Sequence, residues 1–281
     1  MKVIARAKIN LFLEVKGYRP DGFHEVETVL QSVDLRDELT FEDSTGVEVD
    51  IAWAPGSSGP IPKRPDLVER ALLLTGTHAR VQVLKSIPIG AGLGGGSADA
   101  ASALIVAGNR GIGADELRQA ARSLGTDVPF AMKGGTAIGR GRGDELEGIP
   151  SSRAIWWVLA VPAFGISTAS VYARTGVSTA RHKATALTSA IATGDAVALA
   201  TLLHNDLEAA AFRLAPELEE IKRIVEDSGA LASVMSGSGS AIAGICADEK
   251  DARACAATLR RSVALALAVP STPVGAEVVG Q

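Results

Sequence analysis

Residues 88–101 read PIGAGLGGGSADAA and place Gly90, Gly92, Gly94, Gly95 and Gly96 within seven positions, ahead of Ser97 and Ala98. Backbone without Cβ atoms can approach an anion closely and aim several N–H groups at it. A helix opening at Ser97 adds the positive end of its dipole, so the run from Pro88 through Leu93 to Ala98 has the makings of a phosphate cradle. A plain strand-to-helix connector would need only one or two of these glycines. Lys85, just upstream, is either a mobile positive charge for the anion or a solvated strand end. Gly90, Gly92 and Gly95 also satisfy the GxGxxG spacing of dinucleotide-binding folds. That fingerprint needs an acidic residue at the end of the next strand, about 20 positions on. Asp115 has roughly that offset but sits in the helical segment DELRQAARSLG. A Walker A loop needs Lys-Ser or Lys-Thr after the glycines, and neither is present. By itself the loop points to an anion site and does not tell a kinase from a dehydrogenase.

The elements around it follow from periodicity. Ile9, Leu11, Leu13 and Val15 alternate with Asn10, Phe12, Glu14 and Lys16, which predicts a half-buried strand with Lys8 and Asn10 side by side on its polar face. After the loop GYRPDGFHE, strands are expected at 26–33 and 37–42, with an edge strand at 47–53. The Pro- and Gly-rich stretch 54–65 reads as a surface loop. A helix begins at Pro65-Asp66, where Leu67, Ala71 and Leu74 keep helical spacing, and a strand follows at 79–84. Helices are expected from Ser97 to about residue 109 and over 115–124, the latter closed by Gly125. Residues 134–150 are glycine-rich and polar, and lead to a strand at 154–161. Beyond it, helices at about 183–203, 216–228 and 249–262 alternate with strands near 232–235, 241–246 and 274–279. That alternation predicts a small sheet with helices on one face. The chain therefore reads as α+β, with two domains, 1–150 and 151–281.

The 47% apolar content is enough for a real core, and the net charge of −4 argues against a nucleic-acid partner. Cys246 and Cys255 stand nine apart with no CxxC, and the four histidines show no metal spacing, so neither a disulfide framework nor a structural metal is expected. Arg6, Lys8, Asn10 and Glu14 interrupt any signal-peptide core, and the longest apolar run, AIWWVLAVPAF at 154–164, is too short to span a membrane. The expected location is the cytoplasm, with no membrane partner. Monomer and homodimer remain open.

Three further segments make a resemblance specific: ARAKINLFLEV at 5–15 with PDGFHEVETV at 20–29, LGTDVPF at 124–130, and MSGSGSA at 235–241. Together with the glycine loop they resemble the galactokinase, homoserine kinase, mevalonate kinase and phosphomevalonate kinase (GHMP) superfamily. In order and spacing they are similar to its branch that uses ATP to phosphorylate an alcohol carrying a cytidine diphosphate group, in the non-mevalonate isoprenoid route. The resemblance runs from residue 5 to about 243. It implies an N-terminal domain like the second domain of ribosomal protein S5 and a ferredoxin-like C-terminal α/β sandwich. It implies Asp127 as catalytic base and Lys8 as its partner, a sensible pair for phosphoryl transfer, which needs positioning and charge neutralisation more than a strong base. By residue type alone, Asp127 would equally be a helix cap before Pro129.

The same resemblance places Asn10 at the substrate alcohol, Thr168 at the substrate, and Phe23 and His24 at the cytosine. Phe23 stands where the family usually has tyrosine, and Tyr172 is expected as the second aromatic, sandwiching the ring with Phe23. Ser236-Gly237-Ser238-Gly239 resembles a second glycine motif that supports the site. His204-Asn205-Asp206 resembles a family segment of no evident role, and Asp66 falls where many relatives carry asparagine near the adenine. ATP as donor implies Mg²⁺, with Ser97 near it. Homoserine and mevalonate kinases are the neighbouring alternatives; Phe23 and His24 argue against them, because a non-nucleotide alcohol has no base to stack.

Overall fold

The computed structural model describes residues 1–178 and 183–280. The first half runs β1 (Lys2–Tyr18), β2 (His24–Glu42), β3 (Val47–Trp53), α1 (Leu67–Leu74), β4 (Ala79–Lys85), α2 (Gly95–Asn109), α3 (Ala114–Leu124), α4 (Val128–Lys133), β5 (Thr136–Arg140) and β6 (Glu145–Ile149). The second half runs β7 (Trp156–Val161), α5 (Thr168–Tyr172), α6 (Leu187–Thr193), α7 (Ala196–Ala200), β8 (His204–Asn205), α8 (Glu208–Leu214), α9 (Glu217–Asp227), β9 (Ala232–Met235), β10 (Ile242–Cys246), α10 (Glu249–Leu259), β11 (Leu265–Pro270) and β12 (Glu277–Val279). Among the described residues no helix is long and apolar enough to cross a membrane.

The strand β1 organises the molecule, and it is not the half-buried strand its alternation predicts. Asn10, Phe12 and Glu14 are as buried as the aliphatic residues between them. The reason is that both faces are covered. Val3 and Ala5 pack with Leu72, Ala101 and Leu104 of α1 and α2, whereas Ala7, Ile9 and Leu11 pack with Trp157 and Leu159 of β7. Register shifts against β2 at Arg6/Ala7 and Asn10/Phe12 accompany this change of partner, as bulges re-aim a strand. The two strands expected at 26–33 and 37–42 are one continuous β2, long enough to pair with β1, β4 and β5.

The glycine-rich stretch after α4 is a hairpin, β5–β6, rather than irregular chain. The expected strand near 274–279 is β12, and it joins β1 in the first sheet instead of completing the C-terminal sandwich. Among the described residues the first sheet thus holds eight strands, with β12-β1-β2-β4-β3 as its spine. The second is antiparallel in the order β11-β7-β10-β9, and its edge strand β11 had no sequence signal. Taken in chain order these are strands 4-1-3-2, the split βαβ arrangement of a ferredoxin-like unit. One face packs Val158, Ala160 and Ile242 against α9 and α10, and the other packs Trp157, Leu159 and Ala243 toward β1. The long helix expected at 183–203 is broken: Gly194, at φ +69°, ends α6, and Asp195 caps α7.

Candidate active site

The residues of the expected phosphate cradle form the turn from β4 into α2. Gly90, Gly92 and Gly94 all have positive φ (+74°, +76° and +71°), so the conformation itself demands glycine. Gly94 is the N-cap of α2 and offers no side chain to its free N–H groups. The loop walls a cavity of about 390 Å³ lined by Lys85, Pro88, Gly90, Gly92, Leu93, Gly94, Gly95, Gly96 and Ser97. Ala98 is an exception among the expected contacts: its side chain lies in the core under α2 and its N–H donates to the Gly94 carbonyl at 2.9 Å. The opposite wall comes from Pro62, Lys63, Asp66 and Arg70, so part of the stretch expected as a surface loop faces this cavity. The Asp66 carboxylate is occupied by the α1 capping box and by Arg64 at 3.0 Å.

Lys85 is neither mobile nor solvated. It is 1% exposed, its ammonium bonds Asp37 and lies 2.6 Å from Asp99, and Asp37 also accepts the N–H groups of Ser86 and Ile87. Burial lowers the lysine's proton affinity, but the Asp99 and Asp37 carboxylates outweigh it and raise the pKa. Burial pushes Asp99 up to about 7, against the pull of Lys85 and with a further push from Asp37. This triad underlies the loop: a Cβ at Gly95 would come within 3.4 Å of the Lys85 ammonium. No spacing in the sequence linked Asp37 to Lys85, because β2 and β4 meet only through the sheet.

At the loop's inner end, Lys8 Nζ lies 2.7 Å from Asn10 Oδ1 and 3.3 Å from Asp127 Oδ2, with Lys8 7% exposed. Asp127 is the N-cap residue of α4 by position, yet its side chain caps nothing. Asn10 is held by Thr28 Oγ1 at 2.9 Å, which in turn donates to the Phe12 carbonyl. The second glycine turn closes over this pair: a Cβ on Gly237 would sit 3.1 Å from Asn10 Oδ1 and 3.3 Å from Lys8 Nζ. Ser236 Oγ donates to the Gly92 carbonyl at 2.9 Å, and the Ala241 N–H donates to Ala91. Asn205 supplies the missing role of its segment, donating through Nδ2 to the carbonyls of Met235 and Gly237 at 2.7 and 2.8 Å. Thr168 meets Ser238 through their hydroxyls at 2.7 Å.

The ring that Tyr172 meets is His24, at 4.9 Å between centroids, and His24 meets Tyr18 at the same separation. Phe23 is 48% exposed and carries the Arg142 guanidinium at 5.0 Å from its centroid. Among the described residues, His24 Nε2 is buried without a hydrogen-bond partner. Burial, reinforced by the Asp127 carboxylate, pushes the Tyr172 hydroxyl up to about 12, so it stays protonated and can donate.

Comparison with known proteins decides among the kinases of this fold. The GHMP kinase N-terminal domain model matches residues 66–135 and the C-terminal one 187–265. The 4-diphosphocytidyl-2-C-methyl-D-erythritol kinase of Pelotomaculum thermopropionicum is 43% identical over 270 residues, covering 92% of this chain and 93% of that protein. That of Moorella thermoacetica is 40% identical over 272 residues, covering 92% and 94%. The chain belongs to the 4-diphosphocytidyl-2-C-methyl-D-erythritol kinase family. A crystal structure of 4-(cytidine 5'-diphospho)-2C-methyl-D-erythritol kinase superposes with a TM-score of 0.81 at 33% identity, over 96% of this chain and 99% of that one. A Cytophaga hutchinsonii homoserine kinase superposes at 0.72 with 19% identity, over 99% and 97%, which shares the GHMP fold alone. As a member of this kinase family the chain is a small-molecule kinase, and the expected α+β GHMP architecture is the observed one.

Proposed function

We propose that this enzyme transfers the γ-phosphoryl group of ATP to the 2-hydroxyl of 4-diphosphocytidyl-2-C-methyl-D-erythritol in the cytoplasm, with the residues assembled around Lys8 as its catalytic centre. The observation that carries the reading is the Lys8 ammonium, held by Asn10 and Asp127 where the two glycine turns meet. The acceptor oxygen bonds to phosphorus as the bond to the β-phosphate oxygen breaks and ADP leaves. Asp127 accepts the hydroxyl proton, and Lys8 offsets the charge gathering on the transferred group. The backbone N–H groups of loop residues 90–97, between Pro88 and Ala98, cradle the phosphates at the start of α2, while the buried Lys85 acts from beneath by fixing that loop.

Mg²⁺ fits this donor set. Among the described residues no cluster of three His, Cys, Asp or Glu could hold a metal alone, and the Ser97 hydroxyl is a hard oxygen donor on the cavity wall. Ser97 would help hold Mg²⁺ beside the phosphates, and the ion would supply charge neutralisation there. Asn10 and Thr168 position the alcohol. Phe23 stacks on the cytosine, His24 hydrogen-bonds its edge through the unpartnered Nε2, and Tyr172 closes the far side behind His24. In this reading residues 1–150 form the catalytic domain and 151–281 the substrate-side domain.

The test is ADP release with the cytidylyl alcohol, mevalonate and homoserine offered separately. Release with the first alone is expected; release with mevalonate or homoserine alone would overturn the substrate.

A further inference from the structure

We propose that Arg142 is a positioning residue for substrate: stacked on Phe23, its guanidinium holds that ring ready to receive the cytosine. The proposal rests on the reading of Phe23 as the base-stacking residue. Phe23 ends a tight turn in which the Arg19 N–H donates to the Phe23 carbonyl and the Phe23 N–H donates to Asp21, contacts that fix its backbone but not its ring. The side chain is half exposed and belongs to none of the apolar clusters. A phenyl ring has no hydroxyl with which to anchor itself, so its orientation must come from whatever lies on its face.

Arg142 is what lies there. It sits at the tip of the β5–β6 hairpin between Gly141 and Gly143, both at positive φ (+67° and +95°). The tip is pinned beside the base site, because the Val26 N–H donates to the Gly141 carbonyl at 2.8 Å, two residues from His24. The guanidinium is itself anchored: Nη2 lies 2.9 Å from the Asp144 carboxylate, which is 8% exposed. One side of the group is thus tied into the hairpin, and its Cζ lies over the Phe23 ring, 5.0 Å from the centroid. That distance is within the range of a cation–π contact. A ring held before substrate arrives loses less rotamer freedom on binding, which lowers KM for the cytidylyl alcohol and leaves the phosphoryl-transfer step untouched.

The experiment is steady-state kinetics on the full chain for Arg142→Ala, Arg142→Lys, Phe23→Leu and the double variant Arg142→Ala/Phe23→Leu. Arg142→Ala is expected to raise KM for the cytidylyl alcohol roughly two- to fivefold, with kcat and KM for ATP unchanged. Arg142→Lys should recover part of the loss. In the Phe23→Leu background, removing Arg142 should add nothing, since its effect runs through the ring. An undiminished Arg142→Ala effect in that background would overturn the proposal in favour of direct contact with the diphosphate. A raised KM in Phe23→Leu with a normal one in Arg142→Ala would overturn it while leaving the base site standing. A normal KM in Phe23→Leu would remove the base-site reading itself.

Discussion

A carboxylate at the start of a helix is usually a cap, and at Asp127 the two uses of the residue compete directly. Here the side chain leaves the α4 N–H groups alone and turns to Lys8 at 3.3 Å, so its position serves the ammonium and not the helix. Asp127→Asn is nearly isosteric and should preserve the fold. Its kcat is expected to fall by about 10²–10⁴, the range of a lost general base, with ATP affinity within roughly twofold. Turnover measured beside nucleotide titration checks this; a near-normal kcat would remove Asp127 as the base. The residues of this centre could be named from the motifs AKINL and TDVPF, and the strand period put Lys8 and Asn10 on one face. Lys85 shows the converse. Its type suggested a mobile charge, but charge state and mobility depend on neighbours, and its two carboxylates come from other elements.

Among the elements, the glycine loop before α2 is set on a buried ionic triad, and that gives it a pH dependence. The Asp99 pKa is raised from the ordinary 3.8 to about 7. A carboxyl raised on folding contributes stability that is full below its unfolded value and is lost as pH rises through the folded one. Comparing the Tm of the native enzyme with that of Asp99→Asn should therefore show the native advantage shrinking between about pH 4 and pH 7. A constant difference across that window would mean that Asp99 is not the titrating group. The elements most legible in the sequence were those with strong periodicity and clear ends: α1 behind the Asp66 capping box, α3 before Gly125, and β9. The hairpin β5–β6 was hidden because its glycines, needed for the turn that displays Arg142, also dilute the apolar alternation. Strand β11, LALAVP, has too many small residues for either period to stand out.

Across the whole molecule, the site exists because two glycine turns far apart in sequence are fastened together. Ser236 bonds Gly92, Ala241 bonds Ala91, and no Cβ would fit at Gly92, where one would lie 2.2 Å from the Ser236 carbonyl oxygen. Asn205, 6% exposed, braces the second turn from behind with two hydrogen bonds and accepts a third from the Leu207 N–H. Asn205→Ala strands two buried carbonyls and is expected to cost about 2–4 kcal/mol of folding stability. It should also lower kcat by loosening the wall over Lys8. Urea unfolding and turnover check both effects, and a variant of native stability and rate would show that the turn holds itself. The same inter-sheet contact is secured at its centre by Trp157 Nε1, which donates to Gln31 at 2.8 Å in the buried interior.

The sequence by itself determined the chemistry's components: the glycine cradle, a lysine and an aspartate in recognisable segments, an aromatic-histidine pair, and the alternating helices and strands of an α+β chain. Those follow from local rules, since backbone conformation, capping and periodicity act within a few residues. Tertiary structure alone decided that β1 would be buried on both faces, that β12 would return to the first sheet, that Lys85 would be caged by Asp37 and Asp99, and that the His24 ring would lie against Tyr172. Each of these is a contact between segments distant in the chain. It depends on which faces the sheets present to one another, and that is settled by packing the whole core at once.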